Sequence, residues 1–157
     1  MEHEQDPTTH VDLGEELRVP ALVFPSQLTE PSSAHRLAWD LLVQRAPREA
    51  LEVLDAAIAQ DEGNVGLRTL RAWAYLIQAR LARAEDELRW LVEANPSDDW
   101  SRHALGRSLE RQSRYAEALP HLRLAAAMTG DPEHQTAVLR VERRLAETGA
   151  ASYDDLR

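Results

Sequence analysis

The 157-residue sequence has no cysteine, no lysine, one phenylalanine and only six glycines. Without cysteine there is no disulfide framework and no thiol nucleophile. Six scattered glycines form no phosphate-cradling loop. No apolar run approaches the roughly 18 residues that a membrane span requires. The first residues, Met1 to Asp6, are acidic and lead into no apolar stretch, so a secretory signal is not expected. A cytoplasmic location is the default expectation. Positive charge is also in deficit: 27 acidic against 18 basic residues give a formal net charge of −9. Nucleic acid and anionic membrane are therefore not expected partners, because both are held mainly by cations. The 18 basic residues are all arginine, which reads as the codon bias of a GC-rich genome.

Catalytic chemistry is equally sparse. His3, His10, His35, His103, His121 and His134 show no metal-ligand spacing. Ser108 and Ser113 have no evident His–Asp partners in sequence. No enzyme activity, cofactor or metal is expected.

What the chain does have is a repeat. Ala50, Ala84 and Ala118 stand 34 residues apart, as do Leu54, Leu88 and Leu122. Ala38, Ala72 and Gly106 keep the same step, and so do Leu41, Tyr75 and Leu109. Several columns in one register at this period mark a stacked helical repeat. The small residues let helix backbones approach, and the leucines fill the space between hairpins.

The breaks agree with this period. Helices are expected over 34–45, from Pro47 to 60, and over 66–79, 82–94, 99–112, 115–128 and 132–149. Pro47 and Pro132 suit first helical turns. Asp61-Glu62-Gly63-Asn64 and Asn95-Pro96-Ser97-Asp98 are turns, and Gly149 is a stop. Pro120 falls inside the sixth helix and should remove one hydrogen bond. Val138, Val141 and Leu145 give the last helix a single apolar stripe, as a terminal capping element requires. Three domains of behaviour follow: an extended or flexible arm over 1–30, a repeat domain over 31–149, and a tail over 150–157.

With repeats starting at Pro31, Val65 and Asp99, these residues resemble the tetratricopeptide repeat. The small residues fall at the eighth place of each repeat, Tyr75 at the eleventh, the alanines at the twentieth and Pro96 at the thirty-second. Tyr115 matches a frequent aromatic. The usual tryptophan at the fourth place is missing, with Ala34, Arg68 and Arg102 there instead. The resemblance implies an all-α, right-handed α-solenoid of three hairpins and a C-terminal capping helix. It also implies a concave groove lined by the first helix of each hairpin.

On that register the groove residues are His35, Trp39 and Leu42, then Thr69, Trp73, Leu76 and Ile77, then Trp100, His103, Arg107 and Arg111. Three of the four tryptophans lie on this one face. Trp39 and Trp73 either present an apolar surface or stack on each other as core. The carboxylate-gripping residues of one well-known branch of the family are largely absent. Arg107, helped by Arg111, remains a candidate for an acidic group unless it pairs with Glu110 or Asp99. Trp90 reads as a half-buried packing residue on the second helix of its hairpin.

The arm holds one apolar cluster, Val19-Pro20-Ala21-Leu22-Val23-Phe24-Pro25. Leu22, Val23 and Phe24 are expected to dock along a groove, in cis or from a second copy. The expected function is protein–protein interaction: an adaptor or accessory subunit holding a peptide or helix in an apolar, Trp-lined groove. A homo-oligomeric structural protein and a holdase-type chaperone are the alternatives.

Overall fold

The computed structural model describes residues 31–149. These form seven helices: α1 (Pro31–Val43), α2 (Pro47–Ile58), α3 (Val65–Ile77), α4 (Leu81–Ala94), α5 (Asp99–Arg111), α6 (Tyr115–Thr129) and α7 (Pro132–Thr148). The described residues contain no strand. Helices α1/α2, α3/α4 and α5/α6 are antiparallel hairpins stacked in chain order, and α7 closes the end. This is an all-α helical repeat solenoid.

The 34-residue columns are its core. Ala38 and Ala72, Ala50, Ala84 and Ala118, and Leu54, Leu88 and Leu122 are all fully buried. Each of those leucines contributes roughly 2 kcal/mol by leaving water. Gly106 has a further reason to be small. A Cβ there would stand 2.6 Å from both Cγ and Cδ2 of Leu122, so α5 lies closer to α6 than any other residue permits.

The turn inside each hairpin also repeats. Arg45, Ala79 and Ser113 have φ of 61°, 55° and 60°, the left-handed region. The next amide in each case closes the turn: Ala46 to the Leu41 carbonyl at 2.8 Å, Arg80 to Tyr75 at 2.9 Å, Arg114 to Leu109 at 3.0 Å. This is the Schellman helix stop, built three times without glycine at a cost of about 1 kcal/mol each. It also ends α1, α3 and α5 earlier than sequence periodicity predicts, since good helix formers continue into the turn. Elsewhere the caps follow sequence. Asn64 accepts from the Leu67 amide at 3.1 Å, and Asp131 accepts from Glu133 at 2.8 Å. Pro120 sits inside α6, which continues past it.

Two packing expectations need correction. In α1 the buried stripe is Ala34, Ala38 and Leu42, while Leu41 is only half-buried. The reason is one-sided packing. Leu67, Leu70 and Ala74 of α3, and Ser101, Ala104 and Ser108 of α5, are buried. Ser108 shows what such positions meet, because its hydroxyl donates to the Leu81 carbonyl of the preceding hairpin at 3.3 Å. The matching α1 residues, Ser33, Arg36 and Asp40, are exposed; among the described residues no hairpin precedes them. In α7 the fully packed stripe is Ala137, Val141 and Leu145, with Val138 half-buried beside it.

Ion pairs join the stacked units. Arg71 of α3 bridges Asp55 of α2 at 3.0 Å and Glu87 of α4 at 2.5 Å. Arg114 after α5 reaches back to Glu85 of α4 at 2.6 Å. Burial alone would raise the Glu85 carboxyl; hydrogen bonds from Gln112, Arg89 and Arg114 outweigh it and hold the group below the ordinary carboxylate value. Arg140 of α7 grips Glu110 of α5 with two nitrogens, one at 3.0 Å.

Candidate functional site

The first helices α1, α3 and α5 form one row. Helix α1 packs beside α3, and α5 beside α7, whereas α3 and α5 approach each other less closely. A cleft of about 310 Å³ lies on this row, lined by Trp39, Thr69, Leu70, Trp73 and Trp100. Trp39 and Trp73 are one repeat apart, so stacking sets them side by side. Their ring centroids are 5.4 Å apart, with planes tilted by 54°, a favourable aromatic geometry. Trp73 packs against the core, but Trp39 remains 49% exposed and Trp100 38%. The pair therefore stacks and still presents apolar surface. Leu70, a core residue, forms part of the lining. It stands outside the groove positions assigned by register, at one of the places where the carboxylate-gripping branch carries its polar residues. The Thr69 hydroxyl donates to its own helix at Val65. No charged group lines the cleft.

The other expected groove residues divide. His35 is exposed one turn before Trp39, and its ring sits against Gly66. Leu76 is half-buried against the core, and Ile77 is exposed. Leu42 was expected on the groove but is 2% exposed and belongs to the core; the one-sided packing of α1 rotates it inward. The arginine pair is not a free anion grip. Arg107 pairs with Glu110, which Arg140 also holds, and Arg111 donates to the Leu76 carbonyl at 3.3 Å. Pairing from α7 was invisible in sequence because that helix lies outside the repeat period. Leu22, Val23 and Phe24 fall outside the described residues.

His103 faces α7. Its ring stacks on His134 with centroids 4.0 Å apart and planes 17° from parallel. Its Nδ1 is buried without a hydrogen-bond partner among the described residues. Burial, then the nearby His134 and Arg107, lowers its pKa from 6.5 to about 4, against the opposing pull of Asp131 and Asp99. His103 is therefore neutral at pH 7. Trp90 on α4 is half-buried, and the Arg68 guanidinium lies 4.2 Å from its ring centre, a cation–π contact.

A second depression of about 500 Å³ lies between the α5–α6 turn and the end of α7, lined in part by Arg114, Tyr115, Glu117 and Leu145. Its arginine and glutamate already pair at 2.6 Å. The tryptophan cleft differs in that its rings, two of them stacked, keep apolar surface exposed. Among the described residues, no three His, Asp or Glu side chains group as a metal site needs, and no helix is long and apolar enough to cross a membrane.

Stacked hairpins of 34-residue pitch with an apolar cleft on their first helices define a helical-repeat scaffold. A tetratricopeptide-repeat family model matches residues 41–107. Over those residues the chain is similar to the tetratricopeptide repeat, and its stacked hairpins have that fold. No curated protein matches its sequence. Solved structures do resemble it. MamA AMB-1 is 21% identical, with a TM-score of 0.68 over 74% of this chain and 69% of that one. The first TPR domain of human RPAP3 is 18% identical, with a TM-score of 0.70 over 82% of this chain and 100% of that one. The second TPR domain of human RPAP3, solved in complex with an HSP70 peptide, is 18% identical, with a TM-score of 0.67 over 76% and 98%. At these identities the likeness concerns the fold.

Proposed function

We propose that this protein is an adaptor or accessory subunit that holds a short apolar peptide or helix in the cleft between Trp39, Trp73 and Trp100. One observation carries the reading: two of these tryptophans stay substantially exposed, at 49% and 38%, around a cleft without charge. Large exposed aromatics clustered on one face mark interaction sites more often than isolated ones do. Buried aromatic anchors commonly supply most of an interface's free energy. The absence of free cations in the cleft favours an apolar ligand over an acidic tail. That the second RPAP3 domain takes up an HSP70 peptide supports a peptide as the ligand class.

The test is selection of peptides from a random library on the full-length protein, followed by affinity measurement on a Trp39→Ala, Trp100→Ala variant. Selected peptides rich in Leu, Phe and Trp should lose roughly 30-fold in affinity, about 2 kcal/mol. Peptides that bind the variant equally well would refute the reading.

A further inference from the structure

We propose that the cleft's resident ligand is the chain's own segment 19–25, docked in cis, and that outside ligands must displace it. The inference rests on the cleft being a peptide site. Three features of the molecule point to this occupant.

The first is chemical match. Thirty residues precede α1, and their one apolar cluster is Val19-Pro20-Ala21-Leu22-Val23-Phe24-Pro25, which contains the chain's only phenylalanine and no charge. The cleft is lined by aromatic and aliphatic groups and is also without charge. The second is preorganisation. Pro20 and Pro25 restrict the backbone toward the extended polyproline form. Aromatic-lined grooves take up such segments at low ordering cost.

The third is reach. Seven residues link Phe24 to Pro31, spanning at most about 25 Å. Trp39 lies eight residues along α1 from Pro31, a rise of about 12 Å. The segment can therefore turn back along α1, pass the exposed His35 and lay Phe24 and Leu22 on the tryptophans without full extension. A link this short gives an effective local concentration in the millimolar range. A segment with only modest intrinsic affinity would then occupy the cleft and weaken every outside ligand in proportion to its occupancy.

The test uses the full-length protein. The native chain has no cysteine, so Leu22→Cys introduces a unique thiol for a bimane label, whose emission tryptophan quenches on contact. The proposal expects quenching that is unchanged on dilution and relieved when Trp39 and Trp100 are replaced by phenylalanine. A bright label indifferent to those replacements would overturn it. Quenching that fades on dilution would also overturn it, and would assign the segment to a second copy. As a second arm, a synthetic peptide of residues 16–28 is titrated onto the native protein and onto a Leu22→Asp, Val23→Asp, Phe24→Asp variant. Binding should be roughly tenfold tighter to the variant, whose tethered competitor is disabled; equal binding contradicts the proposal. If the label stays bright while library peptides still require Trp39 and Trp100, the cis occupant is wrong and the peptide site stands. If neither depends on the tryptophans, both readings fall.

Discussion

Along one row of helices, the α1–α3 half and the α5–α7 half treat their exposed groups differently. In the first, Trp39 and Trp73 meet at a 54° tilt, and together with Trp100 at the start of α5 they leave apolar surface in water. In the second, Arg107, Glu110 and Arg140 satisfy one another, and His103 stacks on His134. Apart from Trp100, which borders the cleft, the polar groups of the α5–α7 half are taken up by one another. On the proposed function, binding capacity concentrates where the fold leaves apolar rings exposed, and the row's architecture alone does not say where that is.

The comparison can be broken hardest at its base. The α5–α7 half depends on α5 lying close to α6, which Gly106 allows. Gly106→Val forces the added atoms into Leu122 and should cost about 3 kcal/mol by overpacking. It should be read as a lowered melting temperature; an unchanged value would mean that the two helices are not in close contact. Next comes Glu110→Ala, which leaves Arg107 and Arg140 facing each other unpaired. A loss of about 2 kcal/mol is expected, because removing one partner strands the others. Glu110→Gln should recover part of it.

Acid sharpens the contrast from the same end. The folded protein holds His103 near pKa 4, against 6.5 ordinarily, so the unfolded chain takes up its proton first. Stability attached to this group is complete above about pH 6.5 and declines as the pH falls toward 4. The pH dependence of melting should flatten in that window in His103→Phe, by a few degrees. If native and variant curves run parallel, the stack does not constrain the imidazole. His121 is also lowered, by burial and then by Arg89 and Arg102, which is why the variant comparison is needed.

The smallest expected effect lies outside either half. Ala79 holds a left-handed turn, so Ala79→Gly should raise stability by about 0.5–1 kcal/mol. A loss instead would show that the turn's backbone is not strained for alanine.

The fold was legible because a 34-residue step in sequence becomes a constant step in space. Ala38, Ala72, Leu54 and Leu88 needed no more than their spacing to be placed inside. Legibility failed where that translational symmetry ends. Leu42 turns inward because α1 has a neighbour on only one side. Glu110 and His103 find partners, Arg140 and His134, on α7, a helix with no counterpart inside the repeats. The left-handed turns at Arg45, Ala79 and Ser113 carried no sequence mark, since none is glycine. The three tryptophans could be assigned to one face by register. Whether that face was open or closed depended on ring orientation and on the wider α3–α5 gap, neither of which a period encodes.

The central claim is that the exposed tryptophans form a ligand site. It is tested most directly by the affinity of library-selected peptides for the Trp39→Ala, Trp100→Ala protein, with the arm-substituted chain as a second bait. The account predicts a loss of roughly 30-fold with little change in melting temperature, because both rings are substantially exposed. Undiminished affinity in a folded variant would contradict it.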